Sequence, residues 1–311
     1  MGSLVVTSRS FSKHPVLRQE VLKLYPDAKF NDDDLSLSGD SLVQFLEGYD
    51  KAITALEVID HSILARLPDL RVIGKYGVGL DMIDLHAMDK FDVKLGWTGG
   101  VNKRSVSELV ISFAISLLHR AVFANIEVRN GEWYQVKGRQ LSDCTFGIVG
   151  CGHVGKDLIK LLRPFNCKIL VHDILDFKEF YKKNDVTPVG LEELIQKSDV
   201  VTLHLPQDDS TENIMNQDRL HMLKKDAILI NLARGRLIDE STLKQILHKG
   251  KIAGAALDVF AVEPPTDIEF ALMDNVIVTP HIGGSTEEAI LAMGMAAISG
   301  LSNPKNPLEF E

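Results

Sequence analysis

Apolar positions in the first third of the chain fall into short runs rich in β-branched residues, and these runs alternate with segments of helical spacing. One such helical segment extends from Pro15 to Tyr25. The predicted strands are Leu4–Thr7, Ala52–Ala55, Val72–Gly74 and Val93–Leu95. Strands that alternate with helices form parallel sheets, so this pattern predicts an α/β domain.

A second series of strands follows a long helix that is predicted from Lys103 to Asn130. Its members are Thr145–Val149, Lys168–Val171, Val200–Leu203, Ala227–Asn231, Gly254–Asp258 and Val276–Thr279. Most of these runs are apolar throughout, as in strands that are buried on both faces of a parallel sheet. Six such strands predict one complete doubly wound sheet.

The segment from Thr286 to Leu301 again has a helical pattern, with Ala and Met in place of β-branched residues. Because it follows the second sheet, we expect it to cross back to the first domain. The chain has 311 residues, which is more than a single hydrophobic core usually serves. The predicted organisation is a discontinuous domain of residues 1–99 plus 285–311 and a second domain of residues 100–284.

The charge and the apolar runs of the chain argue against nucleic-acid and membrane partners. The formal net charge is −9 and no basic stripe is present, which disfavours nucleic-acid binding. The longest apolar run, Leu109–Leu118, is shorter than the ~20 residues of a membrane-spanning helix, so we expect no membrane association. No secretory signal precedes the first strand, which predicts a cytoplasmic protein.

The run Leu109–Leu118 is also too continuous for an amphipathic surface helix, and it predicts a homodimer that forms through this helix. Cys144, Cys151 and Cys167 lack CxxC spacing, which argues against disulfides and a zinc site. We therefore expect three reduced thiols and no metal.

A glycine motif of the form GxGxxG occupies residues 150–155, directly after a predicted strand and before a helix. Its glycines, Gly150, Gly152 and Gly155, would let the backbone approach a pyrophosphate at the N-terminus of the helix, whose dipole favours an anion. Asp173 ends the next strand about 20 residues farther on, where a carboxylate accepts from both ribose hydroxyls and repels a 2′-phosphate. Alone, the motif would equally suit a structural turn. With its strand, helix and acid, it predicts NAD rather than NADP.

Three later segments each place one ionisable side chain after an apolar strand: Arg234, Glu263 and His281. Ligands of doubly wound folds bind at these strand ends. Histidine suits the proton transfer that accompanies oxidation of a 2-hydroxy acid, a carboxylate partner orients the ring, and arginine binds a carboxylate through two parallel hydrogen bonds. Taken singly, a basic turn, a solvated acid and a buried histidine are each ordinary. Their shared placement predicts a catalytic site.

Four segments that contain these residues, VGCGHVG, LINLARGRLIDE, AGAALDVFAVEPP and VTPHIGGST, resemble the signature segments of the D-isomer-specific 2-hydroxyacid dehydrogenases. The earlier segments GKYGVGLDMIDL and NKRSVSEL resemble the same family, so the resemblance covers nearly the whole chain. Among its branches, phosphoglycerate dehydrogenase-like proteins are the most similar. The resemblance implies a flavodoxin-like substrate-binding domain, a Rossmann NAD-binding domain and a cleft between them.

The resemblance also implies a role for each matching residue. Arg234 would bind the substrate carboxylate and keto oxygen, and Glu263 would pair with His281, the acid or base. The implied substrate-binding residues are Lys75, Tyr76, Gly77, Val78, Asn102 and Arg234, with the carboxylate held by backbone amides of residues 76–79. The implied cofactor-binding residues are Gly150, Gly152, His153, Val154, Gly155, Asp173, His204, Pro206, Ala233, Asp258 and Gly283. Among these, Asp258 would meet the nicotinamide amide.

The predicted activity is hydride transfer between NAD(H) and a D-2-hydroxy acid and 2-oxo acid pair. Phosphoglycerate is one candidate substrate, and glyoxylate or hydroxypyruvate is the alternative. Lys75 stands where the phosphoglycerate enzymes usually carry Arg, and residues 54–57 lack their additional Arg. Glu263 argues against formate dehydrogenase, in which an amide replaces this acid because no proton is transferred. An NAD-sensing binding protein, similar to NAD-dependent corepressors, is the alternative from another class.

Two further expectations concern the acidic residues after His204 and the C-terminal end of the chain. Asp208 and Asp209 follow His204, where their charge would weaken pyrophosphate binding unless they turn outward. The chain ends after the crossing helix, so we expect no appended regulatory domain and no serine inhibition through one.

Overall fold

The computed structural model describes residues 2–310 and divides the chain into two compact units. Unit 1 runs to Asn102 and resumes at Glu287, and unit 2 is Lys103–Thr286. These bounds lie a few residues from the predicted ones. The assignment of unit 1 to substrate binding stays a prediction.

The strands and helices are given in chain order. The strands are β1 (Leu4–Val6), β2 (Lys29–Phe30), β3 (Lys51–Thr54), β4 (Val72–Lys75), β5 (Lys94–Gly96), β6 (Thr145–Val149), β7 (Lys168–His172), β8 (Thr187–Pro188), β9 (Val200–Leu203), β10 (Ile228–Asn231), β11 (Gly254–Leu257) and β12 (Val276–Val278). The helices are α1 (Arg9–Lys13), α2 (Pro15–Leu24), α3 (Gly39–Leu46), α4 (His61–Leu64), α5 (Leu85–Lys90), α6 (Lys103–Leu118), α7 (Ala121–Arg129), α8 (His153–Leu162), α9 (Lys178–Asn184), α10 (Leu191–Lys197), α11 (Gln217–His221), α12 (Glu240–His248), α13 (Ile268–Ala271) and α14 (Glu287–Gly300). Short 3₁₀ turns occupy Leu141–Asp143, Arg163–Phe165, Gly235–Leu237 and Pro307–Phe310.

Both sheets are parallel, and both have doubly wound orders. The sheet of unit 1 has the order β2-β1-β3-β4-β5, which is the flavodoxin-like order. The sheet of unit 2 has the order β12-β11-β10-β9-β6-β7-β8, so the chain reverses direction across the sheet between β6 and β9. The predicted fold class of two α/β parallel-sheet domains is confirmed.

The predicted long helix from Lys103 to Asn130 is wrong in one respect, because it is two helices. The break between α6 and α7 bends the pair by 63°, and Arg120 there adopts a left-handed conformation with φ 54°. The chain returns to this point, where the Arg139 N–H donates to the Leu118 carbonyl at 2.9 Å and Gly138 lies against the backbone of His119. The bend follows from packing between residues distant in sequence, which the periodicity of the segment does not show.

The strands of unit 2 are buried on both faces because successive side chains point to opposite sides of the sheet. In β6, Phe146 and Ile148 enter one core cluster, with α6 and α8, while Val149 enters the other, with α10 and α12. In β4 of unit 1, Val72 and Ile73 divide in the same way. This burial explains the continuously apolar runs that predicted the strands.

The last helix, α14, belongs to unit 1. A Cβ at Gly74 of β4 would overlap the Ala297 carbonyl, and the backbones of Gly96 and Gly300 approach so closely that neither position has room for a side chain. Glycines in β4 and β5 therefore allow α14 to pack directly on the sheet.

No single helix among residues 2–310 is both long and apolar enough to cross a bilayer. The pair α6 and α7 meets the criteria of length and composition only when the two are taken together across their bend.

Candidate active site

The strand register of unit 2 brings six loops to one edge of its sheet. Val149 pairs with His172 and Leu203, Leu203 pairs with Asn231, and Leu257 pairs with Asn231 and Val278. The residues that follow these strand ends therefore start at the same level. Ligands of doubly wound sheets bind at such an edge, at the point where the strand order reverses.

The loop after β6 contains the glycine motif. Gly150 has φ 99°, which residues with side chains rarely adopt, and a Cβ there would overlap the carbonyl of His204 after β9. A Cβ at Gly155 would overlap the Gly150 carbonyl. These two glycines are therefore required by the turn itself and by its packing.

Gly152 differs from the other two glycines, because a Cβ there would meet nothing within 4 Å. It is the N-cap of α8, and no side chain in the described part of the chain caps this ten-residue helix. His153 beside it is exposed, and Val154 is half-buried. Open space in front of uncapped N–H groups fits the pyrophosphate of a dinucleotide.

Asp173 follows β7 and reaches the glycine loop. Its Oδ2 accepts from the Cys151 N–H at 2.5 Å, and its Oδ1 accepts from the Leu175 N–H at 2.8 Å. The carboxylate is thus fixed beside the loop, where the acid of dinucleotide-binding folds accepts hydrogen bonds from the ribose. Burial raises the pKa of the Cys151 thiol to about 11, so this thiol is protonated near pH 7.

In the loop after β9, the hydrogen bonds of one of the two acidic residues, Asp208, show where its carboxylate is directed. Asp208 Oδ1 accepts from the Ser210 N–H at 2.8 Å, the Ser210 hydroxyl at 2.6 Å and the Thr211 N–H at 3.2 Å, and these bonds lower its pKa. Its charge is therefore held within its own turn. His204 lies earlier in the loop, where burial lowers its pKa to about 3, so it is neutral near pH 7 and contributes no cation for a pyrophosphate.

Arg234 follows β10 on a turn that a buried residue supports. The Asn231 side chain accepts from the Ala233 N–H at 3.0 Å and donates to the Arg234 carbonyl at 2.8 Å. The guanidinium donates to the Ala233 carbonyl at 2.7 Å and is half-buried. Gly235 lies against the backbone of Phe260, so the Arg234 turn packs on the loop that carries Glu263.

Glu263 and His281 are in direct contact. His281 Nδ1 lies 2.9 Å from Glu263 Oε2, and the other carboxylate oxygen accepts from the Phe260 N–H at 3.1 Å. Both side chains are accessible to solvent, with 49% and 39% of their surfaces exposed. An imidazole that donates Nδ1–H to Glu263 presents Nε2 as the atom that exchanges a proton.

Asp258 follows β11 and is 1% exposed. Its carboxylate accepts from three groups of the loop after β12, which carries His281: the Thr279 hydroxyl, the Ile282 N–H and the Gly283 N–H. The three predicted catalytic residues therefore follow the neighbouring strands β10, β11 and β12, and the predicted cofactor residues Asp258 and Gly283 lie among them.

The predicted substrate-binding loop belongs to unit 1. Tyr76 is a core residue whose N–H donates to the Thr54 carbonyl at 2.8 Å, so its amide is already used. In the described residues, the N–H groups of Gly77 and Val78 have no acceptor. Lys75 is 4% exposed, and its ammonium bonds to the carbonyls of Ala55 and Tyr76 beneath the loop. Asn102 is buried at the end of the unit.

Three residues of unit 2 that support the site were not predicted from the sequence. Asn231 and Gly235 shape the Arg234 turn, and Glu240 Oε1 accepts from the Ala261 N–H at 2.6 Å beside the Glu263 loop. A polar residue that ends an apolar strand, as Asn231 does, was an available signal. Nothing local marked the other two. Within residues 2–310, no cluster of three or more His, Cys, Asp or Glu residues could hold a metal ion.

Comparison with known proteins agrees with this geometry. Residues 111–283, more than half of the chain, match the family model of the D-isomer specific 2-hydroxyacid dehydrogenase, NAD binding domain. A glyoxylate reductase of Thermofilum pendens is 36% identical over 253 residues, which cover 78% of this chain and 74% of that protein. A D-3-phosphoglycerate dehydrogenase of Methanocaldococcus jannaschii is 36% identical over 239 residues, which cover 76% of this chain and 46% of that protein.

The chain thus spans about half the length of the phosphoglycerate dehydrogenases that it matches. Among solved structures, the D-lactate dehydrogenase of Aquifex aeolicus, in complex with NAD and lactic acid, aligns with a TM-score of 0.85 at 25% identity over 96% of this chain and 94% of that one. The matched NAD-binding domain and the structural neighbour that holds NAD show NAD as the cofactor, and the uncapped glycine loop fits its pyrophosphate. The chain belongs to the D-isomer-specific 2-hydroxyacid dehydrogenase family, and residues 111–283 are its NAD-binding domain.

Proposed function

We propose that this protein interconverts a D-2-hydroxy acid and the corresponding 2-oxo acid, with NAD(H) as the redox partner and His281 as the acid or base. The observation that carries the proposal is the 2.9 Å contact between His281 Nδ1 and Glu263 Oε2. A carboxylate that orients an imidazole is useful when the ring must gain and lose a proton. The overall reaction is 2-oxo acid, NADH and a proton in exchange with hydroxy acid and NAD⁺.

In the direction of reduction, the Arg234 guanidinium binds the substrate carboxylate and orients the carbonyl group. NADH, when bound at the glycine loop, would be the source of the hydride for this reduction. His281 Nε2 donates a proton to the carbonyl oxygen, and the hydroxyl forms. In the reverse direction, the neutral imidazole takes the hydroxyl proton, and Glu263 stabilises the resulting imidazolium.

The loop of residues 76–79 supports an anionic substrate. Among the described residues, the N–H groups of Gly77 and Val78 have no acceptor, and a Cβ at Gly77 would lie 3.4 Å from the Lys75 ammonium, so this loop suits a carboxylate. The ammonium is directed at the Ala55 and Tyr76 carbonyls, so it provides a fixed positive charge instead of the planar fork that recognises phosphate. A small unphosphorylated 2-oxo acid, such as glyoxylate or hydroxypyruvate, is therefore the favoured substrate. That the two units close around a cleft stays a prediction.

A phosphorylated substrate is the second candidate, because phosphoglycerate dehydrogenases are as similar to this chain as glyoxylate reductases. The deciding experiment measures NADH oxidation with glyoxylate, hydroxypyruvate, pyruvate, 2-oxoglutarate and hydroxypyruvate phosphate. We expect the highest kcat/KM for one of the unphosphorylated acids. A preference for hydroxypyruvate phosphate would reverse the substrate assignment, and NADH binding without turnover of any acid would favour an NAD-sensing protein.

The remaining part of the proposal is a cytoplasmic homodimer. We place its interface at α7 instead of the predicted run Leu109–Leu118. The run Leu109–Leu118 packs largely into the core of unit 2, whereas α7 has no buried residue and exposes Ile126. Trp133 beyond it is 80% exposed. An apolar helix of this kind suits a second copy of the chain. Light scattering should give a dimer that Ile126→Glu dissociates and that Ile268→Glu on α13 leaves intact.

A further inference from the structure

The loop that carries His281 has a backbone conformation that its sequence does not favour. His281 has φ 55°, in the left-handed region, although it is not glycine and has glycine on neither side. A residue persists in this region only when the surrounding structure holds it there. The source of that restraint determines whether the imidazole reaches Glu263.

Asp258 provides restraints on both sides of the strained residue. Its Oδ1 accepts from the Thr279 hydroxyl at 2.5 Å and from the Ile282 N–H at 2.7 Å, and its Oδ2 accepts from the Gly283 N–H at 2.7 Å. Its backbone carbonyl accepts from the His281 N–H at 2.9 Å. One residue thus fixes the loop before, at and after His281.

The surroundings of this carboxylate add to its effect. Asp258 is 1% exposed, so little water competes for its bonds, and charge-assisted bonds of this length are strong. The Ser105 hydroxyl donates to the Gly283 carbonyl at 2.6 Å, which fixes the far side of the same loop. A Cβ at Gly283 would lie 3.0 Å from Asp258 Oδ2, so the glycine allows the close approach.

We infer that Asp258 is a positioning residue that holds His281 in its left-handed conformation and thereby aims its imidazole at Glu263; this rests on the proposed function of His281. Without the carboxylate, the backbone relaxes to negative φ, and the imidazole turns away from its partner. The resemblance to the family implied a different role for Asp258, contact with the nicotinamide amide. Three bonds from the loop make the anchoring role the larger one.

The two roles predict different results for Asp258→Asn, which keeps the size of the side chain but replaces one acceptor oxygen by an NH₂ group that faces a donor. For a positioning residue, kcat falls roughly 10- to 100-fold at saturating NADH, the scale of a misplaced catalytic group. The Kd for NADH, measured by fluorescence, stays within about twofold of the wild-type value, since less than twofold corresponds to under 0.5 kcal/mol. A weaker Kd with unchanged kcat would overturn the inference and make Asp258 a cofactor ligand.

A second readout does not depend on activity. The Nδ1–H of His281, bonded to Glu263, and the amides of Ile282 and Gly283 should give low-field proton resonances in the wild-type NMR spectrum. All three should shift upfield in Asp258→Asn. Retention of the His281 resonance in a folded variant would also overturn the inference. If no 2-oxo acid is reduced by the wild-type protein, the proposed function fails, while these resonances still decide the anchor.

If Asp258→Asn does not fold, two milder substitutions at Thr279 test the same inference. Thr279→Val removes one donor to Asp258 and leaves its charge in place, and Thr279→Ser keeps the hydroxyl. We expect Thr279→Val to lower kcat and shift the His281 resonance, and Thr279→Ser to restore both. Equal behaviour of the two variants would contradict the anchoring role.

Discussion

Two loops at the same edge of the unit 2 sheet solve a similar problem in different ways. The loop after β6 needs a positive φ, and it places Gly150 there, where φ is 99°. The loop after β12 also needs a positive φ, and it places His281 there, at 55°. In each loop, a backbone N–H donates to a carboxylate that follows a neighbouring strand: Asp173 for the loop after β6 and Asp258 for the loop after β12.

The two loops differ in the number of hydrogen bonds that they donate to the carboxylate. In the glycine loop, Asp173 receives one bond from the loop, because glycine adopts the conformation without strain. In the histidine loop, Asp258 receives three bonds from the loop, because the conformation of His281 is unfavourable and its side chain must still point correctly. Both carboxylates lie more than twenty positions from the loop they contact, but only the histidine loop needs several such bonds to hold a residue with a side chain at positive φ.

The largest expected effect comes from the side chain that the histidine loop presents. His281→Ala should lower kcat on the order of 10²- to 10⁴-fold, because an acid or base is lost, and it should leave the Kd for NADH nearly unchanged. Steady-state kinetics and fluorescence titration measure the two quantities. Glu263→Gln, which keeps the hydrogen bond without the charge, should fall between this variant and the wild type. Near-normal turnover by His281→Ala would contradict the proposed role of His281 as the acid or base.

The next effect concerns the carboxylate of the glycine loop. Asp173→Ala should weaken NADH binding by roughly 10- to 100-fold, since hydrogen bonds to a charged group are lost, while NADPH binding weakens less or improves. The ratio of the two Kd values is the measurement. Asp176→Ala, three residues farther on, is the matched control. An unchanged ratio would show that Asp173 serves only to hold the Cys151 N–H.

Two glycines of the same loop should separate folding from binding. Gly155→Ala introduces a Cβ that overlaps the Gly150 carbonyl, and it should lower the free energy of unfolding by about 1–3 kcal/mol. Gly152→Ala meets no atom within 4 Å and should leave the free energy of unfolding unchanged while it weakens NADH binding. Urea unfolding and NADH titration test both. If Gly152→Ala binds NADH normally, the pyrophosphate does not lie where the loop leaves room for it.

The smallest effect tests a local carboxylate. The hydrogen bonds of Asp208 lower its pKa below the ordinary value of 3.8, so its contribution is complete above that value and is lost as pH falls through the folded pKa. Because the group is exposed, Asp208→Ala should lower the free energy of unfolding at pH 7 by no more than about 0.5 kcal/mol. The difference from wild type should shrink as the pH falls below 3.8. Asp209→Ala is the control, and an equal loss in that variant would assign the effect to net charge.

Much of the fold was predictable because burial leaves a direct record in the pattern of apolar residues. The runs at Thr145–Val149 and Val200–Leu203 are strands with the predicted bounds, since both faces of each are covered. The edge strands Lys29–Phe30 and Thr187–Pro188 were missed, because two residues are too few to show a period. The bend at Arg120 was missed because it depends on the return of residues 138–139.

The site divides in the same way. The identity of the NAD-binding domain and its cofactor followed from residues 150–155 and Asp173, and both are confirmed. The roles of Arg234, Glu263 and His281 stay predictions, although the contact of the last two fits them. The position of Asn231 at the end of an apolar strand was a local signal for its support of the Arg234 turn, whereas no local pattern showed that Asp258 would hold the loop after β12.

By itself, the sequence determined which strands are buried, where glycine permits a tight turn and which ionisable residues follow strand ends. Each of these is a property of neighbouring residues, and short-range sterics and periodic burial express it directly. Only the tertiary structure decided that Lys75 turns beneath its loop, that Asp208 bonds within its own turn and that His281 is held in a strained conformation. These outcomes depend on which hydrogen-bonding partners each group reaches. Buried polar groups need a partner, and the folded chain determines which partner is within reach.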